Sequence, residues 1–442
     1  MGATEDLARD LGRLLDGAVS ELRRLSGGAS RETWSFRLDG RPLILQRQRP
    51  ASELARSMRD ETAAVRAAGE ARLPVPAIVL DATGDDLPLG LPAVVVEHVP
   101  GESIARKLLR DDEYAGVRPR LAEECGRILA GIHQLPAGIV GSQPVVDPLP
   151  GLQQTLDSFG TAHPAFELAF RWLAQHRPPA SPRTPTLVHG DFRTGNLLVT
   201  PDGVTAVLDW EIVHSGDPLE DLGWFCVRAW RFGVDANPAG GFGSREQLWA
   251  GYEAGGGGAV DPAVARWWEI YGTLRWGVIC LMQAAAHRLG FSRSVELATI
   301  GWRACENEYD VLGLLAPDRE PPPPTPVDPD APAPRAAELV EAVREWVEGD
   351  VSDATEGRVR FHARVATNAL TMIERTIRLG PTLDAAHADR LARLGVHDDH
   401  ALAAAIRRGD FDNRWEEAHE ALWSASRDAL AISHPGYDAS RP

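Results

Sequence analysis

Apolar and polar positions follow different rhythms along the chain. Leu43-Ile44-Leu45 and Ala93-Val94-Val95-Val96 are short apolar runs bounded by turn residues, a pattern that predicts buried strands. Residues 52–71, between them, have helical character. From about Ser103 to Leu315 the spacing is mostly helical, as in 121–135 and 263–290. One strand pair interrupts it. Leu197-Leu198-Val199, a turn at Pro201-Asp202-Gly203, and Val204 to Leu208 read as a hairpin. Helical spacing returns at 338–343 and 361–370, with alanine-rich helices around 401–405 and 416–431. Gly380-Pro381 predicts a helix stop among them. No strand alternation appears after residue 336, so 336–442 reads as a small all-helical domain.

Composition adds a boundary. Nine prolines fall between Ala316 and Arg335, four of them consecutive at 321–324. Proline fixes φ and lacks an amide donor, so 317–335 is predicted to be an extended spacer of polyproline II character. The chain holds 46 Lys+Arg against 63 Asp+Glu, a formal net charge of −17. That argues against nucleic acid as a partner, because such binding needs a dominant basic face. It leaves room for phosphate ligands held by a few local cations. The four cysteines, Cys125, Cys226, Cys280 and Cys305, form no CxxC pair, which points away from disulfide or zinc frameworks and toward a reducing, cytoplasmic setting. Neither a signal peptide nor an 18-residue apolar span is read, so no membrane partner is expected.

The hairpin is flanked by polar residues that a strand pair does not need. Before it stands His189-Gly190-Asp191-Phe192-Arg193-Thr194-Gly195-Asn196, and after it Asp209-Trp210-Glu211 and then Gly216-Asp217-Pro218-Leu219-Glu220-Asp221-Leu222. Carboxylates at the mouth of one hairpin crowd together and call for a cation. Asp191 and Asn196 fit the kinase spacing H-R-D-x-x-x-x-N, with Gly190 in place of Arg. Asp209 falls where kinases carry a second magnesium-binding Asp, although Trp-Glu follows it instead of Phe-Gly. Oxygen ligands with open positions suit Mg²⁺.

These residues resemble the aminoglycoside phosphotransferase (choline kinase-like) superfamily over about Leu25 to Leu315. The chain is most similar there to phosphotransferase family proteins that include the kinase-like domains of certain acyl-CoA dehydrogenases. The resemblance implies an α+β, bilobal, protein kinase-like fold. Its N-lobe would be 1–100, a small antiparallel sheet, and its C-lobe 101–316, large and mostly helical. The segment 336–442 is similar to an uncharacterised helical domain found fused to such kinases. The cofactors implied are ATP and Mg²⁺. Asp191 would be the catalytic base and Arg193 would face the transferred phosphoryl group, with a surface Arg as the other reading. Asn196 and Asp209 would hold the metal. Gly27, Gly28 and Ser30 would form the loop over the phosphates. Glu97 and Val99 would offer backbone groups to the adenine. Glu61 would pair with a cation on the third strand. The family carries Arg directly after that strand's Leu, where this chain has Gln46. Arg47 is the nearest substitute, and Arg49 or nothing serves if Arg47 points away. Asp221 is read as a brace for the loop and His189 as structural.

The reaction expected is phosphorylation of a small-molecule hydroxyl, with a hydroxyacyl-CoA, hydroxy acid or other metabolite ranked above an aminoglycoside. The Trp-rich helices either line an apolar acyl pocket or fill the core, with the core favoured for most of them. Two rival readings stand beside this one. One is a nucleotide-binding pseudokinase or scaffold acting through the helical domain, motivated by Gln46. The other is metal-dependent hydrolysis using His189, Asp191, Asp209 and Asp217. A homodimer through the helical domain is a further expectation.

Overall fold

The structure, a computed structural model, describes residues 3–25, 31–48, 58–141, 147–178, 185–291, 294–327 and 335–437. The α+β class holds: an antiparallel sheet comes first and the remainder is mostly helical. The described chain divides into two compact units. One is Met1–Val146 with Pro179–Glu269, and the other is Asp147–Pro178 with Ile270–Pro442.

In the first unit, strands β1 (Val19–Arg24), β2 (Arg31–Leu38), β3 (Arg41–Gln48), β4 (Ile78–Ala82) and β5 (Ala93–Glu97) form one sheet in the order β1-β2-β3-β5-β4. Every neighbouring pair is antiparallel. Side-chain alternation gives this sheet two distinct faces. Phe36, Leu43, Leu45, Ala93 and Val95 point to one face and pack with Leu7 and Leu11 of the helix Ala3–Leu15. Burying each of the larger side chains contributes about 1.5–3 kcal/mol. Thr33, Ile44, Gln46, Val94 and Val96 point the other way and line a cleft of about 290 Å³. The helix Met58–Glu70 supplies Glu61, Thr62 and Val65 to the same cleft.

The rest of this unit holds two short ribbons. β6 (Thr186–Val188) pairs with β9 (His214–Gly216), and β7 (Leu197–Thr200) pairs with β8 (Gly203–Val207). The second ribbon is the predicted hairpin. The chain leaving β5 joins it, since Glu102 and Val199 exchange backbone hydrogen bonds of 2.9 and 3.1 Å. The helix Leu219–Phe225 follows and is buried along its whole length.

The second unit is helical and draws on separate stretches of sequence. Arg407, on the helix Asp399–Arg408, binds Asp157 at 2.6 Å and Glu167 at 3.0 Å, joining it to the helices Pro148–Asp157 and Pro164–Gln175. The described part of the proline-rich stretch contains neither helix nor strand, and it is fastened to its neighbours. Thr325 donates its hydroxyl to Asp428 at 2.7 Å, Arg390 pairs with the same carboxylate, and Arg427 donates to the Pro322 carbonyl. Gly380-Pro381 is not a stop. The helix Gly357–Leu394 runs through it for 38 residues. An interior proline costs about 3 kcal/mol. The burial of Leu383, Leu391 and Leu394 on that helix offsets this.

Candidate active site

The loop from His189 to Asn196 is held by groups inside the fold. Asp221 is fully buried and accepts from the backbone amides of His189 and Gly190, both at 2.8 Å. His133 lies 3.1 Å from the same carboxylate, and its other ring nitrogen meets the Tyr252 hydroxyl at 2.9 Å. Burial would raise the pKa of Asp221; the bond and charge of His133, the charge of His189 and the Gly190 amide outweigh that and hold it below the usual range. The sequence reading of Asp221 as a brace therefore matches the geometry. Thr194 pins the far side of the loop by donating to the Gly240 carbonyl at 2.7 Å.

Gly190 explains the missing Arg of the kinase pattern. Its φ is +82°, and a Cβ there would lie 2.8 Å from the Ile212 carbonyl oxygen. Both facts demand glycine. His189 is buried, with Nε2 3.2 Å from the Leu208 carbonyl and Nδ1 accepting from the Asp191 amide at 3.2 Å. Burial pushes its pKa down. The ring supports the loop from behind and packs against Trp210, centroids 4.7 Å apart.

Asp191 is held on both carboxylate oxygens. Asn196 Nδ2 donates to Oδ2 at 2.7 Å and to the Asp191 backbone carbonyl at 2.9 Å. Trp224 Nε1 donates to Oδ1 at 3.0 Å. Arg193 Nε lies 3.2 and 3.1 Å from the two oxygens, and its guanidinium rests over the Trp230 ring, 5.1 Å from the centroid. Trp224 and Trp230 thus serve the site directly. Trp267 and Trp268 are buried.

Asp209 follows the hairpin with φ +65°, a conformation that non-glycine residues rarely adopt and that clusters at functional sites. Together with Trp210 it lines the 290 Å³ cleft. Its pKa is raised to about 7, first by burial and then by the negative charges of Glu211 and Asp191, with Arg193 opposing. Asp209 and Asp191 are therefore within electrostatic reach of each other.

The remaining predicted residues fall as follows. Glu97 and Val99 line the cleft beside Gln46 and Val94. The Glu97 side chain itself pairs with Arg41. Gly27, Gly28 and Ser30 lie outside the described residues, as does Arg49. Glu61 is buried and does pair with a cation, but the cation is Arg31. Arg47 is a correction. It stands opposite Glu32 in the β2–β3 register and binds it at 2.7 Å, on the face away from the cleft. A strand turns successive side chains to opposite faces, so Arg47 cannot share the face of Gln46.

Sequence reasoning missed Arg31, Trp224, Thr194 and His133. Only Arg31 carried a signal, as a cation directly after the glycine-containing loop. The described residues contain no group of three or more His, Cys, Asp or Glu placed to hold a metal ion, and no helix long and apolar enough to cross a membrane. Asp217 accepts from the Leu219 amide at 2.9 Å and His189 is turned to backbone groups, so the four-ligand hydrolase site does not assemble. All four cysteines are free and buried.

An aspartate and an asparagine on a braced loop, a second aspartate past a hairpin, and a cleft under a five-stranded sheet define a kinase-like phosphotransferase site. Residues 21–257 match the model of the phosphotransferase enzyme family, and the chain belongs to that family. Residues 353–437 match a domain of unknown function, DUF6285. The chain is 33% identical over 239 residues to mouse acyl-CoA dehydrogenase family member 10, covering 47% of this chain and 20% of that protein. It is 30% identical over 226 residues to chicken (Gallus gallus) acyl-CoA dehydrogenase family member 11, covering 47% of this chain and 28% of that protein. It therefore spans less than a third of the length of either relative. Among solved structures, one from Ralstonia eutropha assigned to the aminoglycoside phosphotransferases shares the fold, with TM-score 0.56 and 21% identity over 69% of this chain and 96% of that one.

Proposed function

We propose that the chain transfers a phosphoryl group from ATP to a hydroxyl of a small molecule. The observation that carries this reading is the grip on Asp191. Asn196, Trp224 and Arg193 fix its carboxylate beside Asp209, at the end of a cleft whose other wall is the sheet. The adenine would lie against Glu97 to Val99, with the phosphates toward Asp209.

The donor set fits Mg²⁺. Asp209 is crowded by like charge, which a divalent ion relieves, and Mg²⁺ takes one or two carboxylates plus phosphate oxygens rather than a full protein cage. Asp209 and the Asn196 side-chain oxygen would hold it. When bound, the ion offsets the negative charge of the ATP phosphates. Asp191 orients the substrate hydroxyl and accepts its proton. Arg193, lying on Asp191, offsets charge at the same place. Positioning and electrostatics supply most of the rate, because the loose transition state asks for little covalent help.

Support for the acceptor class comes from the relatives, which are named as acyl-CoA dehydrogenase family members and match this chain over its kinase-like part. A hydroxyacyl-CoA or hydroxy acid therefore ranks above an aminoglycoside. The test is ATP consumption across hydroxyacyl-CoA compounds, hydroxy acids, sugars, choline and aminoglycosides. Asp191→Ala should abolish transfer and keep ATP binding. Normal turnover by that variant removes the assigned base, and activity confined to aminoglycosides reverses the substrate ranking. The scaffold reading rested on Gln46, and that motive weakens because Glu61 has a buried cationic partner in Arg31.

A further inference from the structure

Kinases of this architecture pair a strand-β3 cation with a glutamate on the following helix, and that cation reaches the donor phosphates. Here the β3 position on the cleft face is Gln46, a neutral side chain. The charge has not vanished from the face. In the β2–β3 ladder Thr33 stands opposite Gln46 and Arg31 opposite Gln48, so Arg31 shares the face of Thr33 and Gln46. Two residues of strand separate Arg31 from the Thr33–Gln46 pair, about 7 Å along the sheet. That is within the span of an arginine side chain.

Arg31 is also set up as the missing member. It reaches the helix Met58–Glu70 and pairs with Glu61, and both side chains are about nine-tenths buried. Glu61 lines the cleft. Arg31 Nε is buried with no hydrogen-bond partner. A buried donor left unmade is costly unless something supplies an acceptor. A guanidinium can hold a carboxylate with one nitrogen and present other N–H groups to phosphate oxygens. Glu61 is within electrostatic reach of Asp209.

We infer that Arg31, reaching from β2, is the residue that binds the phosphates of the donor nucleotide in this chain, taking the place left by Gln46. The inference rests on the nucleotide-binding reading of the cleft. It identifies a positional exchange of charge: the partner glutamate stays on its helix while the cation changes strand. A purely structural Arg31 would support the fold without discriminating between nucleotides of different phosphate content.

That difference is the test. Binding of Mg²⁺-ATP and of adenosine is measured by calorimetry on the full chain, for the wild type, for Arg31→Gln, and for Arg31→Gln combined with Gln46→Arg. Arg31→Gln should weaken ATP about 10- to 100-fold, the range expected for losing charged hydrogen bonds, and leave adenosine within about twofold. Adding Gln46→Arg should regain at least about tenfold for ATP. If Arg31→Gln does not fold, the pair Arg31→Gln with Glu61→Gln removes the orphaned carboxylate and is measured in the same way. An unchanged ATP-to-adenosine ratio in either folded variant overturns the role of Arg31, as does failure of Gln46→Arg to restore ATP binding. A wild-type chain that binds neither compound brings down the nucleotide reading as well, so the two failures are told apart.

Discussion

A single buried carboxylate, Asp221, holds the loop from His189 to Asn196. It accepts from two backbone amides at 2.8 Å and faces His133 at 3.1 Å, with no solvent to replace it. Replacing it with Ala orphans two amides and an imidazole. Each unmade buried donor costs about 1–3 kcal/mol, so losing an acceptor shared by two amides and a ring costs about 3–5 kcal/mol in all. Asp221→Ala should therefore destabilise by about 4 kcal/mol. Asp221→Asn keeps the shape and one acceptor oxygen but turns an NH₂ toward a donor, so about half that loss is expected. At roughly 2–4 °C per kcal/mol for a unit of this size, the first transition in calorimetry should fall by about 8–16 °C for Ala and 4–8 °C for Asn. The ordering Ala, then Asn, then wild type should appear in both Tm and turnover. Equal melting of all three proteins, or an Asn variant worse than Ala, would refute the account of Asp221 as an acceptor for the loop amides.

Further outcomes follow from other residues. Asp209 has its folded pKa raised from 3.8 to about 7, so the folded state holds a proton that the unfolded chain has already lost. Its contribution to stability should fall as pH rises from about 4 to 7 without metal. Mg²⁺ should bind more tightly over the same rise and release a proton, and Asp209→Asn should flatten both trends in a pH series of melting and metal titrations. Gly190→Ala, with φ +82° and a Cβ 2.8 Å from a carbonyl oxygen, should lower stability by about 2 kcal/mol or more and abolish turnover. A stable, active variant in an urea titration and kinase assay would contradict that crowding. Trp224→Phe keeps an aromatic ring of smaller size and loses the donor to Asp191, so kcat should drop about tenfold with little change in KM for ATP. Asp428→Ala, which strands Arg390 and frees Thr325, should cost about 3 kcal/mol and open the stretch around Thr325 to limited proteolysis.

The sequence made the loop chemistry legible because its spacing is local. His189 to Asn196, the hairpin and Asp209 are all set within about twenty residues, where turns and strand length leave few choices. The cation was not legible for the opposite reason. Whether Arg31, Arg47 or Arg49 meets Glu61 depends on which face each occupies and on which strand runs beside the helix. Only the β2–β3 register decides that. Trp224 lay in plain view as an apolar residue, yet its indole N–H matters only once the helix Leu219–Phe225 is placed beside Asp191. Gly380-Pro381 misled because local propensity reads a break that burial along the helix outweighs. The second unit joins segments more than a hundred residues apart, and no periodicity along the chain announces such pairings.

The glycine beside Asp191 bears on how the loop is held. Many signalling kinases stay dormant until a phosphorylated residue finds an arginine and orders a disordered segment. At Gly190 no side chain can be accommodated, so that receptor is sterically excluded here. Order in the loop is instead written into the interior, through Asp221 and His133. With its order supplied from within, this loop does not depend on an arginine at position 190 to hold it.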